Sequence, residues 1–116
     1  MARGDHLFVW RRYGVIPFQH HVIDIGDGEV IHFSDGAGGV AGPTGDADGF
    51  VVSRLDVREL VRGGRDRLHI VRYRHYETTL EEIAVRAESQ LGRQGYHLLY
   101  DNCEHFATWC VTGRPT

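Results

Sequence analysis

The sequence predicts an α+β fold, a small antiparallel β-sheet packed on helices, formed by one domain over residues 1–116. Two β-rich runs flank Gly26-Asp27-Gly28, a strong local hairpin signal. Helical apolar stripes arise only later, in Leu80 to Leu91 and in Phe106 to Cys110. Strands therefore come first and the longer helices last, without the strand-helix alternation of a parallel sheet. A chain of 116 residues suits a single core.

Gly4-Asp5 reads as a turn, followed by His6 to Arg12 as a first strand rich in aromatic and β-branched side chains. Tyr13 to Phe18, interrupted by Gly14 and Pro17, reads as an apolar loop. Trp10, Tyr13, Ile16 and Phe18 are expected to pack in the core, with an acyl channel as the alternative. The hairpin His20–Ile25 and Glu29–Phe33 comes next. Ser34 to Gly49, with six glycines, one proline and three aspartates, reads as a long loop. Its Asp46-Ala47-Asp48-Gly49 lacks the remaining ligands of a calcium loop. Phe50–Ser53 is a short strand, and Asp56 to Val61 a brief helix closed by Gly63-Gly64. Leu68–Arg74 is a further strand. Thr78 or Thr79 opens the longest helix, each with a glutamate three residues on, and Gly92 closes it. Gly95–Tyr100 leads, extended, into a helix that starts near Cys103 and stops at Thr112-Gly113.

The net charge of −3 conceals an asymmetry. There is no lysine, no arginine between Tyr13 and Ser53, and seven of thirteen arginines between Arg54 and Arg74. Asp24, Asp27, Glu29, Asp35, Asp46 and Asp48 make the first zone acidic. The overall balance disfavours nucleic acid as a partner. The arginine zone reads by default as a solvated face, and an anionic membrane surface is the partner it could contact. No run approaches the ~20 apolar residues of a membrane span, and the first residues lack the apolar core of a signal peptide. Cys103 and Cys110, about two helical turns apart, cannot bridge without breaking their helix. A reduced, cytoplasmic setting is the expectation.

Cys103 is the candidate nucleophile. Asn102 is a favoured N-cap, and Phe106, Ala107 and Cys110 follow at core-facing spacing, which sets Cys103 at the first helical position. A thiol at that end of the dipole is biased toward thiolate, although free cysteines are more often simply buried. Thiol catalysis further requires a base and a group to orient it. Eight histidines are available. Across a turn centred on Asp27, His20 and His32 become near or diagonal neighbours on the sheet. His20 and His21 point to opposite faces, so only one of them can face the Cys103 helix, and periodicity does not decide which. No Cys-x-x-Cys or His-x-x-x-His pair suggests zinc, and neither metal nor cofactor is expected. His105, two positions past Cys103, points to a different side of the helix and reads as a packing or surface residue before a catalytic one, and His6, His69, His75 and His97 carry no spacing that suggests ligands.

Gly4-Asp5-His6, the run His20 to Gly28 with Val30-Ile31-His32-Phe33, Leu91 to Tyr96, and Asn102-Cys103-Glu104-His105-Phe106-Ala107 together resemble the lecithin:retinol acyltransferase-like family. The resemblance implies a circularly permuted papain-like, NlpC-type thiol hydrolase fold. It places the nucleophile on Cys103, the catalytic histidine on His20 and the third polar residue on His32, with His21 where the family varies. It implies attack of a thiolate on a lipid ester, a thioester acyl-enzyme, and acyl transfer to an acceptor or water, that is, an acyltransferase or phospholipase whose partner is a lipid or other acyl substrate. Several members carry a C-terminal hydrophobic helix, and none lies before Thr116. The rival readings are an amidase or peptidase of the NlpC-like type, which needs a polar groove, and a non-catalytic interaction module, which has no evident use for Cys103, His20 and His32 together.

Overall fold

The computed structural model describes residues 1–35, 50–93 and 103–114, without the side chains of Tyr13, Ser34, Asp35, Phe50 and Cys103. Five strands, β1 (His6–Tyr13), β2 (Ile16–Gly26), β3 (Glu29–Asp35), β4 (Phe50–Asp56) and β5 (His69–Val71), form one sheet in the order β4-β3-β2-β1-β5. Every neighbouring pair is antiparallel. Helix α1 (Val57–Leu60) follows β4, and α2 (Leu80–Glu88) and α3 (Cys103–Thr112) follow β5. The α+β class and the hairpin at Gly26-Asp27-Gly28 are as the sequence predicts. Within that turn Gly26, Asp27 and Gly28 all take left-handed φ, at 86°, 56° and 75°, and the Asp24 carboxylate accepts from Gly26 N–H at 2.7 Å. An aspartate tolerates this region better than most residues that carry a Cβ, and short polar side chains brace such turns.

Both faces of the sheet are covered. On one, Ile23, Ile25, Ile31, Phe33 and Val52 pack with Ile83, Ala84 and Ala87 of α2 and Phe106, Ala107, Cys110 and Val111 of α3. The two α2 alanines remove bulk where that helix meets the sheet. On the other face, Leu7, Val9, Val22, Val30 and Leu60 form a smaller cluster flanked by Leu55, Val57 and Val61. Helix α2 starts as expected, with Thr79 accepting from Glu82 N–H at 3.1 Å. Arg3 ties the chain start to α2 through Glu81 and Glu88, each at 2.7 Å, and donates to the Ile25 carbonyl. Arg86 donates to the Cys110 carbonyl at 2.8 Å and so joins α2 to α3.

Three expectations change. The apolar segment Tyr13–Phe18 is not a loop: β1 and β2 continue through it to a two-residue turn at Gly14-Val15, with Tyr13 opposite Ile16 and Arg12 opposite Pro17. Gly14, at φ 62°, supplies the positive φ that a tight connection takes at its first central residue. Trp10 and Ile16 are consequently half exposed, not core. The third change is at the strand ends. β3 runs through Ser34 to Asp35, so the glycine-rich segment starts later, and the strand expected over Leu68–Arg74 is confined to His69–Val71. The remainder of that glycine-rich segment, Gly95–Tyr100, His97 and the Asn102 cap lie outside the described residues.

Candidate active site

Two buried histidine pairs, His20–His32 across β2 and β3 and His6–His21 across β1 and β2, occupy opposite faces of the sheet. His20 alternates with Val22, and His32 stands opposite Val22 across the β2–β3 ladder, so both rings lie on the α1 side. His20 Nε2 is 3.1 Å from His32 Nδ1, with the rings 5.3 Å apart and edge-on. This is the diagonal contact expected from the hairpin. Both residues are essentially without exposure, and the Nδ1 atom of His20 is buried with no hydrogen-bond partner among the described residues. Arg11, on the same face, donates to the Leu60 carbonyl and pairs with Asp66 at 2.8 Å. Burial pushes the His32 ring down to about 4 and holds His20 well below the usual histidine range; the neighbouring His32 ring and the Arg11 charge push His20 the same way. The pair is uncharged at neutral pH.

The second pair faces the helices. His21 alternates with Ile23, a member of the cluster shared with α2 and α3. Its Nδ1 lies 2.7 Å from His6 Nε2, and the other nitrogen of His6 is 2.8 Å from the Tyr73 hydroxyl. His21 Nε2 reaches the Gln19 side-chain oxygen at 3.1 Å. One consistent set of protons runs through this chain: Tyr73 donates to His6, His6 to His21, and His21 to Gln19. Burial lowers the His6 ring to about 3 and lowers His21, whose neighbour Glu104, in the first turn of α3, opposes the shift.

Of the residues singled out from sequence, the structure brings His20 and His32 together. It places Cys103 as the first residue of α3, while the thiol lies outside the described atoms. The body of α3 packs on the face that carries His21. Cys110 is fully buried in the same helix, and burial pushes its thiol well up, which makes it a core residue. The His6–His21–Tyr73 chain was not foreseen. Its only sequence signal is the β1–β2 register that sets His6 opposite Ile23, and that register required recognising the hairpin through Pro17. Among the described residues no three or more His, Cys, Asp or Glu side chains group to hold a metal ion, and no helix is long and apolar enough to cross a membrane.

The model of the family described as lecithin retinol acyltransferase matches residues 1–116. Over 35 residues the chain is 60% identical to lecithin retinol acyltransferase of Rattus norvegicus and 57% identical to that of Homo sapiens, in each case 30% of this chain and 15% of the relative. The protein of that name from Mus musculus is 61% identical over 33 residues, 28% of this chain and 14% of its own. The matches thus span about one seventh of the length of these curated relatives. A model match over the whole length, with the histidine strands and the cysteine-led helix in their expected elements, establishes that the chain belongs to the lecithin retinol acyltransferase family.

Proposed function

We propose that residues 1–116 act as one thiol-dependent acyltransferase or phospholipase domain of the permuted papain-like, NlpC-type fold, with Cys103 as nucleophile, His20 as base and His32 as the residue that orients it. The observation that carries this reading is the state of His20: one nitrogen is committed to His32 and the other is buried without a partner among the described residues. A buried ring nitrogen with no partner is costly, of order 1–3 kcal/mol, and a catalytic role is one of the reasons a protein keeps such an atom.

The roles fix the protons. To accept from the thiol, His20 must carry its hydrogen on Nε2 and donate it to His32 Nδ1. Nδ1 then takes the Cys103 proton as the sulfur attacks the carbonyl carbon of a lipid ester. The tetrahedral intermediate collapses, the C–O bond breaks, and the same proton passes to the departing lysolipid or alcohol oxygen. A thioester remains. An incoming alcohol, amine or water gives its proton to Nδ1 as it attacks, and collapse breaks the C–S bond, returns that proton from Nδ1 to the Cys103 sulfur and releases the ester, the amide or the free acid. His32 holds the ring against rotation and supports the imidazolium formed in each half-reaction, as the third member of a triad does. The name carried by the family and by these relatives, lecithin retinol acyltransferase, supports the lipid-ester class.

A second reading has its own observation. Because α3 packs on the face of His21, with Glu104 beside that ring, His21 backed by His6 and Tyr73 is the competing base. Both of its nitrogens are engaged in the chain described above, which favours His20. Single-turnover acylation by a short-chain phospholipid separates them: His20→Ala should lose at least about 10²-fold, and His21→Ala should keep most of the rate while its circular dichroism stays native. The reverse ranking would assign the base to His21.

A further inference from the structure

We propose that the tip of the β1–β2 hairpin is a docking surface for an anionic phospholipid bilayer. Val15 is 87% exposed and Ile16 52%, adjacent at the turn of a two-stranded ribbon, and Trp10, 50% exposed, stands opposite Gln19 on the other face of that ribbon. Single exposed apolar residues are ordinary, whereas two adjacent ones at a projecting tip, with exposed Trp10 farther along the same ribbon, are what an interaction site presents. Beside it lies a cavity of about 480 Å³ lined by Trp10, Arg11, Arg12, Pro17, Arg62 and Asp66. Three guanidiniums against one carboxylate leave an excess of two positive charges there. Asp66 is occupied by Arg11 and by both nitrogens of a bidentate contact from Arg62, at 2.7 Å each. Arg12 is exposed and pairs with no carboxylate among the described residues.

An apolar tip bordered by guanidiniums fits a lipid surface, since aliphatic side chains and tryptophan enter the acyl and interfacial layers while arginines meet phosphate oxygens. A soluble phosphate would use the arginines and leave Val15 and Ile16 without a role. The same strand continues from the tip to the base. His20 stands four residues beyond Ile16 on β2, about 13 Å along the strand. Docking the tip would therefore hold the buried His20 pair about 13 Å from the inserted side chains, on the side of the headgroups. This purpose rests on the lipid-ester reading given above.

The test is vesicle co-sedimentation of the full chain, read without turnover. Binding to phosphatidylcholine vesicles containing roughly 30 mol % phosphatidylserine should exceed binding to phosphatidylcholine alone and weaken with added salt. The double change Val15→Ser with Ile16→Ser should lower it about tenfold, and Arg12→Glu roughly fivefold. Circular dichroism confirms that each variant is folded. Unchanged sedimentation of the double variant overturns the proposal, as does displacement by inorganic phosphate with the tip changes having no effect. An unmodified chain that sediments as predicted but never acquires an acyl group would support the docking surface and contradict only the proposed chemistry.

Discussion

His20 and His32 meet across β2 and β3 with Nε2 of the first 3.1 Å from Nδ1 of the second, on the side of the sheet turned toward α1. In the proposed site this contact selects the His20 tautomer. His32→Gln presents a carbonyl oxygen that can accept the same hydrogen and should retain acylation within roughly tenfold, whereas His32→Leu should slow it about 10²-fold or more. Single-turnover rates decide between them. A leucine variant as fast as the parent would reduce His32 to packing and the site to a dyad.

The two cysteines should differ sharply toward iodoacetamide. Cys110 has no exposure and a thiol held protonated by burial, while Cys103 opens α3, where the dipole favours thiolate. Intact mass should show one carbamidomethyl group on the folded protein and a second only in denaturant. Equal labelling of both thiols in the folded state would remove the nucleophile assignment.

Which face each histidine takes was not legible in the sequence. Both faces of β2 are apolar, Val22 on one and Ile23 with Ile25 on the other, so no amphipathic bias says where α2 and α3 will pack. By contrast, the Gly26-Asp27-Gly28 hairpin and the Thr79 cap rest on local chemistry and were readable residue by residue. Pro17 misled the reading of β2. Proline normally marks a break, but the β2–β3 ladder ends at Val22 and His32, so no β3 residue is paired where Pro17 lacks a donor. The pairing of His20 with His32 needed only the hairpin, and the sequence reading already placed the two as near or diagonal neighbours.

Stability should fall as pH drops from 7 to 5. The folded state holds His6 at about 3 and His32 at about 4, both nearly unexposed, whereas in the unfolded chain each titrates near 6.5. Below that value the unfolded state binds more protons than the folded one, so unfolding becomes easier, by about 2 kcal/mol for each ring at pH 5. Urea midpoints across this interval should decline, and His32→Gln should flatten the slope. A midpoint independent of pH between 7 and 5 would show that these rings are solvated.

Gly4 is fixed by a close approach. A Cβ built there would lie 2.0 Å from the Leu80 carbonyl oxygen, and its φ is 101°. Its N–H also donates to the Asp24 carbonyl at 2.7 Å, which anchors the chain start to β2. Leu80 is the first residue of α2, so backbone there cannot yield without moving the helix. Gly4→Ala should cost more than roughly 2–3 kcal/mol. An unchanged urea midpoint would mean that the start of α2 is not held against Gly4.

The chemistry itself is tested most directly by incubating the protein with a short-chain phosphatidylcholine and measuring its intact mass at early times. The mass should rise by one acyl group, peptide mapping should place that group on Cys103, and hydroxylamine should remove it as expected of a thioester. Cys103→Ser and His20→Ala should give no comparable adduct, with circular dichroism native in both. Release of lysolipid without any adduct on Cys103, or an adduct that persists in Cys103→Ser, would contradict a cysteine acyl-enzyme.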